Sequence, residues 1–360
     1  MKLGLVKGPL HLLCGVLLLL AVGGVGVNRL LAQPPDPAAP TAARDPLAGL
    51  TALDVLPAEV ELASSRGTRQ VLVRGTYRDG STRDLTLFAT WQTNDPAIAD
   101  VTRGRITARG EGDTLVSIRV GDLAREIPVR VRGFAQPDPV GFRTEVLPVL
   151  TRHGCNAGSC HGAPEGKGGF ALSMLAYAPD RDEESLRNGG LVRRLEPIDP
   201  ESSLLLRKPL LALPHVGGKR FRETDPGYAL LRDWIAEGAR PDPAPVPDCV
   251  GIEIEPRGAV LLRTGTGQQL SVLARFRDGS TRDVTSLATY DTSNRDLATC
   301  DPTGQISGHR RGVAAISVRF LQHLQSVPLT LVEPVAGFTP TPLPTTHEVD
   351  RLVQGQLNLL

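Results

Sequence analysis

Arg78-Asp-Gly-Ser-Thr-Arg-Asp84 recurs letter for letter as Arg277-Asp-Gly-Ser-Thr-Arg-Asp283, 199 residues further along a chain of 360. Identity over seven residues at that separation marks a duplicated module. Working outward, the run Val71 to Tyr77 ahead of the first copy reappears as Ser271 to Phe276 ahead of the second, and the match continues through Trp91 and Tyr290, then Ala99 and Ala298. After one inserted residue it resumes 200 apart at Ile106 and Ile306, Gly112 and Gly312, and Ser117 and Ser317. Both copies alternate apolar and polar residues with the period of a strand: Val71, Val73 and Tyr77 against Leu72, Arg74 and Thr76, and Leu270, Val272 and Phe276 likewise. Asp79-Gly80 and Asp278-Gly279 supply tight turns, and Thr114 to Val120 and Ala314 to Phe320 read as later strands. About seven short strands in such a span suit a β-sandwich.

Four Pro-rich stretches, Gln33 to Pro46, Gln136 to Val140, Arg240 to Asp248 and Pro334 to Pro344, read as linkers, because proline lacks the backbone donor that helices and central strands need. They divide the chain into a leader at 1–32, a linker at 33–48, a first β module at 49–133, a middle module at 141–240, a second β module at 249–333 and a tail at 345–360. The leader carries Lys2 and Lys7 ahead of an uncharged run from Leu10 to Val27, the pattern of a signal peptide or an uncleaved membrane anchor. We expect an exported protein, periplasmic or on the cell surface. Lys plus Arg number 40 against 39 Asp plus Glu, so no basic field invites nucleic acid.

Both β copies, with the repeated turn, the Thr-x-x-Ala-Thr-Trp/Tyr-x-Thr type of stretch and a glycine before the closing Val-rich strand, resemble the bacterial immunoglobulin-like (group 2) domain of surface proteins. The resemblance implies a spacer or adhesive role and contact with envelope components. We read Asp79, Asp84, Asp278 and Asp283 as turn and surface residues, since their spacing matches no EF-hand loop.

The middle module changes character. Val146, Val149 and Leu150 recur at helical spacing before Cys155-Asn-Ala-Gly-Ser-Cys160-His161, and Asp225-Pro226 opens a helix whose face carries Leu230, Leu231, Trp234 and Ile235 until Gly238. Two cysteines closed by a histidine are the pattern that bonds haem covalently, with His161 as the proximal iron ligand, although four residues separate the thiols where two are usual. A disulfide or free thiol pair, and a metal site without haem, are the alternatives. His215, 54 residues beyond His161 in Pro-His-Val-Gly-Gly, is the first choice of distal ligand; Met174, only 13 residues beyond, and His153 rank below it. Gly162-Ala-Pro-Glu-Gly166-Lys167-Gly168 imitates a phosphate loop but is one residue short and has glycine where Ser or Thr would bind magnesium. We set it aside as backbone lying against the haem edge. Cys249 and Cys300 form either a disulfide or two buried thiols.

The segments F-R-T-E-V-L-P-V-L-T-R-H-G-C (142–155), D-P-E-S-S-L-L-L-R-K-P (199–209), L-P-H-V-G-G-K-R-F (213–221) and L-L-R-D-W-I-A-E-G-A (230–239) resemble the cytochrome c-like domain of large planctomycete surface proteins, in which immunoglobulin-like domains flank that domain. The resemblance implies a multidomain chain with two all-β sandwiches flanking a mainly α cytochrome c-like domain. It further implies one covalent haem c with its iron, electron transfer without substrate catalysis, and a redox partner protein. A cell-surface structural or adhesive protein with a haem-free, disulfide-bonded middle is the second reading. Thr345-Thr-His-Glu348 is a capping box, and Val349, Leu352 and Val353 begin an apolar face, the start of a truncated helical domain.

Overall fold

The computed structural model describes residues 46–188, 194–242, 245–333 and 346–357. The leader, the first linker up to residue 45, the linker from Pro334 to Pro344 and Thr345 of the capping box lie outside the described residues. Among the described residues no helix is long and apolar enough to cross a membrane.

Each copy of the repeat forms ten strands, more than the seven expected, because short strands flank the long ones. In the first copy, Leu50–Leu56, Leu72–Tyr77 and Thr82–Asp84 make one antiparallel sheet. A second sheet orders Val60–Leu62, Leu123–Val131, Gly112–Val120 and Thr90–Thr93, with the first pair parallel. A third joins Thr68–Gln70, Arg105–Ala108 and Ala99–Thr102. The second copy repeats this order strand for strand. Alternation drives the packing: Val116, Ile118 and Val120 on one strand meet Ile127, Val129 and Val131 on its neighbour, all at 2 % exposure or less, and Val73 of the facing sheet, with Val71 and Leu85 just outside its strands, closes the core. Val272, Ile316, Val318, Leu329 and Leu331 do the same in the second copy.

At the repeated turns only the glycines leave the ordinary backbone region, Gly80 at φ 78° and Gly279 at φ 86°. Asp79 and Asp278 contribute through their side chains. Each Oδ1 accepts the N–H and O–H of the serine two residues on, at 2.9 and 2.6 Å from Ser81 and 2.9 and 2.7 Å from Ser280. Those hydrogen bonds, the hydroxyl's first, hold both exposed carboxyls below the usual range.

The expectation of a mainly α middle domain is corrected. The described residues are 37 % strand and 17 % helix. The middle segment is rich in turns: a π-helical turn, Phe142–Val146, runs into α1 (Leu147–Arg152), and α2 (Pro179–Arg187), α3 (Leu204–Arg207) and α4 (Pro226–Ala236) span 9, 4 and 11 residues. Prolines at 164, 197, 200, 209 and 214 and the Gly162 to Gly169 stretch break the chain wherever a longer helix would have to run. The segment still has its own core, in which Phe142 lies 5.5 Å from Trp234 between ring centroids and Val146, Leu150, Leu206, Leu231 and Ile235 are fully covered. Asp225 precedes α4 as expected but does not cap it; its carboxylate turns back to the Arg222 N–H at 2.8 Å. The last helix, α5 (Glu348–Leu357), presents Val349, Leu352 and Val353 to solvent, and Asp350 accepts the His347 N–H at its start.

Candidate functional site

Cys155, Cys160, His161 and His215 are brought together around one small cavity of about 90 Å³. The cluster curls because Cys160 N–H donates to Ala157 O and His161 N–H to Cys155 O, at 2.9 and 3.0 Å. His161 Nδ1–H donates to Phe170 O at 2.9 Å, and its ring sits 4.6 Å from that of Phe170. His215 Nδ1–H donates to Gly218 O at 2.8 Å across a turn in which a Cβ on Gly217 would come within 2.9 Å of the imidazole. Burial pushes the Cys155 thiol up to about 12. It also lowers the His161 imidazole, an effect strengthened by His215, Lys208 and Arg194 and opposed by the Phe170 hydrogen bond.

Two of the lesser ligand choices fall elsewhere. His153 Nδ1–H donates to Arg220 O at 3.0 Å, with the ring edge-on to Phe221. Met174 is 54 % exposed and lines a different cleft, of about 590 Å³, beside Arg143 and Cys249.

The reading as a haem-carrying electron-transfer protein is corrected by this geometry. Among the described residues no group of three or more His, Cys, Asp or Glu side chains gathers as a metal site. The cavity of about 90 Å³ is far below the roughly 300–1,000 Å³ of pockets that enclose ligands of drug size, and a porphyrin is no smaller than those. Cys160 Sγ is instead engaged by the Arg220 guanidinium at 3.3 Å. The disulfide of the second reading is not formed either: Cys155, Cys160, Cys249 and Cys300 are all free thiols, with Cys249 and Cys300 on different sheets.

What the sequence did not reveal is a second site, where the repeats meet. Asp84 Oδ2 accepts the Gln269 N–H of the second sandwich at 2.5 Å, and Asp283 Oδ2 accepts the Gln70 N–H of the first at 2.7 Å. Both carboxylates turn Oδ1 to the N–H of the threonine two residues on, Thr86 and Thr285, at 2.9 Å. Ser271 Oγ adds a bond to Gln70 O at 3.2 Å. Residue 84 matches 283 in the repeat, and residue 70 matches 269, so the same patch of each copy contacts the same patch of the other, the reciprocal geometry of a two-fold dimer within one chain. The interface is closed to water, with Gln70, Gln269, Ser271, Thr86 and Thr285 at 5 % exposure or less. Burial raises the Asp84 carboxyl above its usual value against three hydrogen bonds that lower it.

The middle segment is fastened to both sandwiches at a third point. Glu145, 7 % exposed, pairs with Arg66 of the first sandwich and, at 3.3 Å, with Arg282 of the second. Arg282 belongs to the same repeated turn as Asp283. Arg152 on α1 reaches Pro302 O, and Leu287 packs against both the middle core and that of the second sandwich. The repeated heptapeptide is therefore both a turn and an interdomain fastener. The sequence carried one signal of this: Asp84 and Gln70 are kept in both copies.

No family model matches the sequence, and no curated protein matches it. Among solved structures, domains 5-6 of the S-layer protein SbsC align over 79 % of this chain and 99 % of that one, at 10 % identity and a TM-score of 0.32. A longer SbsC structure covers 81 % of this chain at 11 % identity and a TM-score of 0.22, and this chain spans 29 % of its length. Human protocadherin-24 EC1-2 aligns over 79 % of this chain and all of that one, at 9 % identity and a TM-score of 0.17. At such scores these likenesses carry no argument about arrangement or role. The strands themselves define the class: a tandem β-sandwich protein with a turn-rich segment inserted between its two copies.

Proposed function

We propose that the chain is an exported structural module of the cell surface, a pair of immunoglobulin-like sandwiches locked into one unit that holds or spaces envelope components. The observation that carries this reading is the reciprocal Asp84/Gln269 and Asp283/Gln70 exchange, closed to water and fastened again by Glu145. Sandwiches joined only by a linker move independently by default, whereas buried backbone donors satisfied across an interface must stay paired. The uncharged leader run and the resemblance of both repeats to bacterial surface domains supply the exported setting.

Two measurements test it. Protease added to intact cells should remove the protein while a cytosolic marker survives; protection equal to the marker's would contradict a surface location. Trp91 lies in the first sandwich and Trp234 in the middle segment, so Trp91→Phe and Trp234→Phe each leave one local reporter. Their urea transitions should coincide, and well-separated midpoints would show that the modules are not one unit.

A further inference from the structure

The cavity beside Cys160 is surrounded by positive charge. Lys167, Arg194, Lys208 and Arg220 line it with His161 and His215, and no Asp or Glu stands among the described residues of its wall. This departs from the rest of a chain whose positive and negative charges nearly balance. Lys167, Lys208 and Arg220 form no ion pair among the described residues. The four cations come from four separate stretches, so the fold, not a local sequence run, assembles them. Like charges held together cost free energy unless something of opposite sign joins them. Burial first, and then His215, Lys208 and Arg194, lower the His161 imidazole in the same wall.

Arg220 is held in place. Its backbone N–H donates to Pro209 O at 2.8 Å, its carbonyl accepts from His153, and its guanidinium touches Cys160 Sγ at 3.3 Å. Arg194 is fixed by its donors to Gly169 O at 2.7 Å and Ser185 O at 3.2 Å, and its guanidinium lies 4.9 Å from the Phe170 ring. Lys167 stands in the glycine-rich stretch set aside above as a failed nucleotide loop. Gly166 at φ 62° and Gly168 at φ 60° bend that stretch around the cavity mouth.

We propose that this cavity binds a tetrahedral oxyanion, inorganic phosphate or sulfate. Volume and charge select the class together. About 90 Å³ exceeds the space a single water needs, yet is smaller than the roughly 150 Å³ cavity that accepts a benzene ring. A guanidinium fork at Arg220, with ammonium charges at Lys167 and Lys208, offers donors for several oxygens of one anion. The site is independent of the clasp between the sandwiches and does not depend on the surface reading.

Isothermal titration of the full chain in reducing, phosphate-free buffer tests this, with phosphate and sulfate as the probes and chloride at matched ionic strength as control. Saturable binding of one phosphate or sulfate per chain is expected, weakened about tenfold or more in Arg220→Gln and in Lys208→Gln, each checked for native circular dichroism. No saturable heat with either anion, or equal binding by folded variants, would overturn the proposal. Should the variants fail to fold, the wild-type chain decides. Cys160 stands in the wall, so alkylation of Cys160 should slow as the anion fills the site, with a midpoint matching the titration. An alkylation rate indifferent to the anion would refute it.

Discussion

Replacing Asp283 by alanine probes the clasp most sharply. The carboxylate is 4 % exposed and serves two backbone donors, Gln70 N–H at 2.7 Å across the interface and Thr285 N–H at 2.9 Å within its own module, with Arg69 Nη1 at 3.9 Å. Gln70 is 5 % exposed and Thr285 fully buried, so water reaches neither donor without a local opening. A buried donor left unpaired costs about 1–3 kcal/mol, and bonds to a charged acceptor sit toward the upper part of that range. Two such donors give about 3 kcal/mol after partial relaxation, roughly 6 °C in Tm for a unit of this size. Urea denaturation followed by Trp91 and Trp234 reads the loss. Asp283→Asn keeps one acceptor oxygen and turns an NH2 toward the other donor, so it should lose about half as much. The Asp84→Ala, Asp283→Ala double variant supplies the cycle. Once one carboxylate is gone the interface is already loosened, so the double loss should fall short of the sum by more than about 0.5 kcal/mol. A loss under about 0.5 kcal/mol for Asp283→Ala, or strictly additive losses, would refute a shared interface.

The other expectations follow from single residues. Glu145→Gln should cost about 2 kcal/mol by denaturant titration, below the usual price of breaking a buried ion pair because the Arg66 and Arg282 side chains are 30 % and 42 % exposed. Gly80→Ala should cost only about 1 kcal/mol, since its Cβ meets nothing within 4 Å and only the positive φ is penalised, whereas Gly217→Ala should also displace the His215 ring and alter its NMR shifts. The Cys300 thiol is pushed by burial from its ordinary 9.0 to about 12. The unfolded thiol loses its proton near 9 while the folded one keeps it to about 12, so this group's contribution to stability falls as pH rises across that window, by up to about 1.4 kcal/mol per unit. The descent in Tm measured above pH 9 should be shallower in Cys300→Ala.

Much of the architecture was legible in the sequence because identity over Arg78 to Asp84 and Arg277 to Asp283 survives duplication and strand alternation is a strong signal. The turns at Val146 to Arg152 and around Trp234 were legible from 3.6-residue spacing. The helical content of the middle was overread, since two amphipathic stretches do not make a mainly α domain when Pro and Gly interrupt everything between them. The cysteine cluster drew attention to the cavity where Cys155, Cys160, His161 and His215 meet, but not to the charge that surrounds it. Spacing reveals thiols and histidines, whereas the cavity's volume and the convergence of Lys167, Lys208 and Arg220 arise only in three dimensions. The clasp was invisible for the same reason: Asp84 finds its partner 185 residues away, so its side chain read as surface chemistry when it is an interdomain acceptor.

The two sandwiches are fastened to each other through the backbone amides of Gln70 and Gln269. Site-resolved hydrogen exchange at those two amides tests it most directly, because each donates to a carboxylate that belongs to the other sandwich. Protection matching that of core amides such as Val116 and Ile316 is the predicted result. Exchange as fast as at the exposed Ser81 and Ser280 turns would show that the clasp opens freely and would contradict the account.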